Sequence, residues 1–409
     1  MPTTDPKKIG LYLHIPFCSS LCHYCDFVKT ANWGQSNKEQ YFKTLCTHVR
    51  SWVKNFYIPS SYTIPTVFLG GGTPGIFTKE YEEIFKIIRP LLDNDVEITI
   101  EINPENIREQ SLAYWKSLGI NRLSIGVQTF SNKGLLFLKR QQDVKKTIQA
   151  INLAKTYFPN FSLDLIYGWK DQTLTDWAND LEQLASLNPM HASLYNLTFA
   201  DKTPLGRAYA RGKLSALDDQ LLYDYYLLAH KHLTKLGFIH EEVSNLAKPG
   251  YSCKHNWAYW QGEYYVGIGI GAHGCVPAED SPIGLRYAYP SNDRQWVKEP
   301  RLDLSELTAK NFSINNPGFH VEQRKSGDWL TEYIGSALRT HRGVSLKKIL
   351  RVTGKIFQPR GFVAEAVADN ILCINEGYLT VSTNEWFRET AWCVYILECF
   401  INNKEIPHF

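Results

Sequence analysis

Tyr12-Leu13-His14-Ile15-Pro16-Phe17-Cys18-Ser19-Ser20-Leu21-Cys22-His23-Tyr24-Cys25-Asp26-Phe27 is the stretch on which the reading of this chain turns. Ile9 to Ile15 is an apolar run of strand character. Pro16 ends it, because proline has no amide hydrogen to give to a ladder. Cys18, Cys22 and Cys25 follow at C-x3-C-x2-C spacing within one loop. Thiolates are soft ligands, and cysteines this close let one loop wrap a metal or an iron–sulfur cluster. A structural zinc site asks for a fourth ligand at similar spacing, usually another close pair, and none follows. Three ligands on a four-iron cluster leave one iron open, which suits a cluster that acts on a bound molecule. The competing reading is three cysteines that only pack or pair.

The length of 409 residues predicts two or three domains with a sizeable core. An apolar content of 44% and a charged content of 21% are ordinary for a globular protein. The net charge of +3, from 44 basic and 41 acidic residues, demands no polyanion, so nucleic acid is not expected. Nine cysteines, an odd number in a long chain, speak against a secreted disulfide framework and for a reducing cytoplasm. Asp5, Lys7 and Lys8 occupy the start with no apolar core of a signal peptide. The apolar run from Trp392 to Ile401 is interrupted by Glu398 and too short to span a bilayer; peripheral membrane contact stays open.

Working outward, strand-like runs alternate with helical ones. Ser36 to Tyr57 reads as a helix, Thr66–Leu69 as a strand closed by Gly70-Gly71-Gly72-Thr73-Pro74, and Thr78 to Leu91 as a helix. Strands Val96–Ile102, Leu123–Val127, Phe161–Ile166 and Ala192–Leu197 follow, separated by helices over 105–118, from Asn132 and Asp143, and over 173–187. Near-continuous apolar strands alternating with helices imply a parallel sheet covered by helices, with chemistry at the strand C-terminal ends. Six such units predict an α/β fold, a partial (β/α)6 TIM-like barrel. The expected domains are the barrel at 1–200, an extension at 201–276, an irregular connector at 277–327 and a mostly helical, winged-helix-like domain at 328–409. In that last domain, 328–339, 346–352 and 362–376 read as helices, 379–382 as a wing-like strand, and the chain closes in a helix to about 401.

The cysteine triplet after a first strand, with Tyr24 before its last member, resembles the radical S-adenosylmethionine (SAM) enzymes. That resemblance implies a [4Fe-4S] cluster on Cys18, Cys22 and Cys25, with SAM at the open iron. It implies that Gly71, Gly72 and Thr73 approach the methionine part of SAM. Glu101, Gln128, Arg140 and Asp164 match positions by which the subgroup around oxygen-independent coproporphyrinogen oxidase holds SAM, with Tyr12, Tyr24 and Phe27 lining the same pocket. Carboxylates accept from ribose hydroxyls and an amino group, and arginine grips a carboxylate bidentately. Gly269-Ile-Gly-Ala-His-Gly274 matches a dinucleotide fingerprint, but it lies late and without the required strand–helix–strand context, so it is set aside.

Cys253-Lys-His255-Asn-Trp-Ala-Tyr-Trp260 is the second site. From its residues alone His255 reads first as a satisfied interface histidine, and second as an axial ligand among aromatics. H-N-x-x-Y-W, together with L-Y-L-H-I-P-F-C, F-L-G-G-G-T-P, R-L-S-I-G-V-Q-T-F, L-D-L-I-Y-G and L-R-T-H-R-G-V, resembles the HemW family of heme chaperones over nearly the whole chain. The resemblance implies heme as a further ligand, His255 as its binding residue, and transfer to an unidentified acceptor protein. The oxidase carries a further cysteine two positions after the last cluster ligand, where this chain has Phe27, so oxidase activity is the lesser expectation. Arg140-Gln141-Gln142, in contrast, is closer to the oxidase pattern than to the R-x-H usual in HemW. No catalytic residue is assigned.

Overall fold

The computed structural model describes residues 7–31, 33–55, 62–278, 281–291, 320–322 and 324–402. After the two-residue strand β1 (Lys7–Lys8), the strands β2 (Gly10–Ile15), β3 (Tyr62–Gly71), β4 (Leu92–Ile102), β5 (Arg122–Gln128), β6 (Phe161–Tyr167) and β7 (His191–Asn196) lie side by side in sequence order, all parallel. Their register aligns Leu13, Leu69, Ile100, Leu123 and Phe161 in one row, each wholly buried. Apolar residues at nearly every strand position fit a sheet covered on both faces. The covering helices are α1 (Gln35–Asn55), α2 (Glu82–Ile88), α3 (Glu109–Leu118), α4 (Asn132–Phe137), α5 (Val144–Tyr157) and α6 (Leu174–Leu187). Ser131, Asp143 and Thr173 cap α4, α5 and α6, each side chain accepting a backbone N–H of the first turn.

The parallel run does not close on itself. Beyond α7 (Pro204–Ala210) and α8 (Asp219–Lys235), β8 (Ile239–Glu242) and β9 (Asn245–Ala247) continue the sheet antiparallel beside β7. After α9 (Lys254–Trp260), β10 (Tyr265–Ile268) returns parallel to β2 on the opposite edge. The antiparallel strands β11 (His273–Ala278), β12 (Ser281–Ala288) and β13 (His320–Glu322) extend that edge. This is the expected partial barrel, but its sheet is twice as wide as six strands. Part of the expected connector is sheet, because β12 pairs antiparallel with β11 on one side and β13 on the other; 292–319 lie outside the described residues.

The C-terminal part has its own core around Trp329, Ile334, Val344, Ile349, Leu379 and Trp386, and Tyr226 of α8 and Ile283 of β12 join it. Helices Ser326–Ala337, Leu346–Thr353, Gly361–Ala368 and Glu389–Leu397 pack with an antiparallel sheet of β14 (Val344–Ser345), β17 (Tyr378–Val381) and β16 (Leu372–Asn375). The expected helix over 362–376 stops early. Asn370 takes a left-handed φ of 57°, and Leu372–Asn375 then pairs with β17. The last helix likewise ends at Leu397, and β18 (Phe400–Asn402) pairs with β15 (Lys355–Phe357). In both places β-branched and aromatic residues find a strand partner that helical periodicity does not reveal.

Candidate functional site

The C-terminal ends of β2 to β7 open onto a cavity of about 560 Å³. Cys18, Cys22 and Cys25 line it, and so do Tyr24, Phe27, Gly71, Gly72, Thr73, Glu101, Gln128, Arg140 and Asp164. Residues spread over some 150 positions are thus brought to one place by strand order alone. The cysteine loop is strapped to the barrel at both ends. Cys18 N–H donates to Thr30 O at 2.9 Å, Thr30 N–H to Pro16 O at 2.7 Å, and Thr73 N–H to Phe17 O at 2.7 Å.

The glycine turn after β3 is shaped by contact. Gly71 has φ +117°, and a Cβ there would lie 2.7 Å from the His14 ring. A Cβ on Gly72 would lie 2.7 Å from Phe17 O and 2.9 Å from Cys18 Sγ. His14 Nε2–H donates to Val28 O at 2.7 Å, which leaves Nδ1 to accept from Tyr12 Oη at 3.0 Å. Burial holds His14 neutral, at about 4. Tyr12 therefore supports the loop from beneath and does not line the cavity.

Arg140 reaches across the mouth. It donates to Cys22 Sγ at 3.4 Å, Asn103 Oδ1 at 2.7 Å, Gly126 O at 3.0 Å and Gln142 Oε1 at 3.0 Å. A bulge at Val127 interrupts the β5–β6 register, and Gln128 there adopts φ +70°. Glu101 accepts Gly71 N–H at 3.0 Å. Burial pushes its carboxyl up to about 8; Gly71 N–H opposes this, nearby Asp164 adds to it and Arg122 opposes it. Asp164 is also raised by burial and pulled down by Ser193, Ser124, Arg122 and Ser162; Ser124 Oγ donates to it at 2.8 Å. Asn103, Ser124 and Arg122 belong to this site and were not picked out from the sequence. Asn103 directly follows the C-terminal end of β4, the signal that could have found it, whereas Ser124 lies early in β5 and joins the site through its hydrogen bond to Asp164.

The donor set suits a polynuclear cluster and a polar cationic ligand. All three thiols are free of disulfides, and each can bind a different iron, so they need not converge on one ion; among the described residues no such single-ion group occurs. Glu105, Arg140 and Asn196 line this mouth, and their Oε2, Nε and Oδ1 atoms are buried with no hydrogen-bond partner among the described residues. Unpaired buried polar atoms are costly, so a ligand bearing donors and acceptors would gain where these side chains turn toward it.

His255 stands apart from that mouth. It is 1% exposed, with Nδ1 2.8 Å from Thr66 Oγ1 and Nε2 2.8 Å from Tyr259 Oη. Glu97 accepts the backbone N–H groups of Lys254 and His255 and so fixes the start of α9. The His255 ring lies 5.2 Å from that of Phe68, and burial lowers its pKa to about 3. Both His255 nitrogens are engaged inside the core, so an iron would take one of them only by displacing Thr66 or Tyr259. Of its motif, Asn256 lines the barrel mouth, while Tyr259 and Trp260 face a different cavity.

The fold and the three-thiol mouth define a protein of the radical SAM class, and residues 12–184 match the radical SAM superfamily. Heme chaperone HemW of Escherichia coli is 36% identical over 75% of this chain and 81% of its own length. HemW of Lactococcus lactis is 32% identical over 78% and 83%, and that of Buchnera aphidicola from Acyrthosiphon pisum 33% over 92% and 93%. The chain belongs to the HemW family. Among solved structures, the coproporphyrinogen III oxidase HemN of Escherichia coli superposes with a TM-score of 0.71 at 20% identity, over 97% of this chain and 91% of that one, a likeness of fold.

Proposed function

We propose that this chain is a heme chaperone that binds heme and passes it to an acceptor protein, in a reducing cytoplasm, while holding a [4Fe-4S] cluster and SAM in the barrel mouth. Family membership carries the reading: relatives named as heme chaperones align over most of both chains. Cys18, Cys22 and Cys25 would hold three irons, with Gly71, Gly72 and Thr73 beside the methionine part of SAM. Glu101 and Asp164 would face its cationic and hydroxyl groups; a bound cation favours ionisation of both carboxyls against the burial that raises them. Arg140, tied to Cys22 and Asn103, would position the loop. When bound, the cluster supplies an electron to SAM. Among the described residues no helix is long and apolar enough to cross a membrane.

The second reading is oxygen-independent coproporphyrinogen III oxidase, and Arg140-Gln141-Gln142 favours it. Gln142 accepts from Arg140 and donates to Val127 O at 2.6 Å, a role a histidine would fill differently. Against it, Phe27 occupies the position of the oxidase's additional cysteine and is 63% exposed at the mouth. Anaerobic incubation of reconstituted protein with SAM, reductant and coproporphyrinogen III decides between them. The chaperone reading expects no decarboxylated product and about one heme bound per chain. Turnover dependent on the three cysteines, with no stoichiometric heme binding, refutes it.

A further inference from the structure

Strands β5, β6 and β7 carry a polar layer directly beneath the barrel mouth. Ser124, Ser162 and His191 are register partners in one row across them, and Asp164 and Ser193 stand side by side in the next row toward the mouth. Residues two apart on a strand share a face, so these side chains form one group. Ser124, Asp164 and Ser193 line the mouth, whereas Ser162 and His191 lie below it, 0% and 1% exposed. The lower row is polar where burial alone favours apolar side chains.

The direction of each hydrogen bond follows from counting protons. Ser162 Oγ lies 3.1 Å from Asp164 Oδ1 and 2.9 Å from His191 Nδ1. A hydroxyl has one hydrogen, and an ionised carboxylate only accepts. Ser162 therefore donates to Asp164, and the contact with His191 is an Nδ1–H donating to Ser162. Burial, with Arg122 adding to it, holds the His191 ring neutral, so its proton sits in one tautomer. Ser124 Oγ donates to the other oxygen, Asp164 Oδ2, at 2.8 Å. Each carboxylate oxygen is thus held by a hydroxyl, which fixes the plane of the group, and each keeps room for a second donor.

We propose that His191 and Ser162 are positioning residues for SAM: His191, through its Nδ1–H, turns the Ser162 hydroxyl onto Asp164, which then meets the ligand with its orientation set in advance. The inference rests on the reading that SAM occupies the mouth against Asp164, and adds how that carboxylate is prepared. A binding group whose rotamer is locked by the residues behind it loses little freedom when the ligand arrives. Burial raises the Asp164 carboxyl, and Ser193, Ser124, Arg122 and Ser162 pull it back. Hydrogen bonds to the charged form favour that form, so the layer also keeps Asp164 ready for a cationic ligand. Glu101 on β4, Arg122 on β5 and Tyr195 on β7 are the other charged or titratable groups that act on it or feel it. Ser162 and His191 touch no ligand in the mouth, and their effect passes through Asp164 alone.

The test titrates full-length, cluster-loaded protein with SAM by calorimetry at several pH values. Ser162→Ala should weaken SAM binding about ten-fold, the worth of one hydrogen bond to a charged group. It should also move the acid limb of binding to higher pH, because Asp164 loses a donor that favours its ionised form. His191→Ala should act in the same direction, and His191→Asn, whose side-chain N–H can stand in for Nδ1–H, should restore affinity. In an Asp164→Ala background neither Ser162→Ala nor His191→Ala should weaken SAM binding further. The 4Fe–4S absorbance of each variant checks that it folds, and Ser162→Ala decides alone where His191→Ala does not. Unchanged SAM affinity in folded Ser162→Ala, or losses that persist undiminished without Asp164, overturns the positioning role and leaves the SAM reading intact. Failure of the wild type to bind SAM, or full affinity in Asp164→Ala, overturns both.

Discussion

Replacing His255 with alanine tests whether this residue braces the core or binds iron. The imidazole makes two hydrogen bonds of 2.8 Å, to Thr66 and Tyr259, and stacks on Phe68 at 5.2 Å. Each hydrogen bond contributes about 1 kcal/mol net. The emptied volume costs about 2 kcal/mol more, the low end for large-to-small core changes. A loss of about 4 kcal/mol is a large part of a typical total of 5–15 kcal/mol, so the variant folds with a much lower midpoint in urea. His255→Gln, which can keep one partner, should lose about half as much. The buried ring also makes stability depend on pH. Its pKa is about 3 in the fold against 6.5 for an ordinary histidine. The unfolded chain takes up the proton near 6.5 while the fold refuses it until about 3. Stability from this group is therefore fully present above pH 6.5 and falls as pH drops through that window, by up to about 1.4 kcal/mol per pH unit. His255→Gln should flatten this part of the acid limb. Urea unfolding followed by circular dichroism at several pH values measures both effects. An unchanged midpoint in His255→Ala, or loss of the Soret band in a folded, cluster-loaded His255→Gln, would refute the structural role.

Other outcomes follow from the barrel mouth. Cys22→Ala should abolish the cluster's absorbance and iron content, whereas alanine at Cys46, Cys253, Cys275, Cys373, Cys393 or Cys399 should spare them; a cluster surviving in Cys22→Ala contradicts the assignment. Gly72→Ala sets a Cβ 2.9 Å from Cys18 Sγ and 2.7 Å from Phe17 O, backbone with nowhere to move. It should cost about 1–3 kcal/mol of stability and most of the cluster occupancy, read as iron per chain. Asp164→Ala should weaken SAM binding about ten-fold or more, because hydrogen bonds to charged groups contribute about 1.5–3 kcal/mol; equal affinity by calorimetry in a folded variant counts against its role.

Much of this protein is legible in the chain itself, because the information is local. Ligand spacing within Cys18–Cys25, apolar strands ended by proline or glycine, and helix caps such as Asp143 and Thr173 all act within a few residues. The barrel and the grouping of Gly71, Glu101, Gln128 and Asp164 follow from strand order, since parallel strands must present the same end to one side. What the tertiary structure alone decided is pairing at a distance. The burial of His255 depends on Thr66, nearly two hundred residues earlier, so the partners of its ring nitrogens are set by pairing that the letters of its motif do not record. Leu372–Asn375 and Phe400–Asn402 become strands because Tyr378–Val381 and Lys355–Phe357 lie open beside them, against their helical pattern. The polar layer beneath Asp164, too, exists only where Ser124, Ser162 and His191 meet, and no spacing along the chain records that meeting.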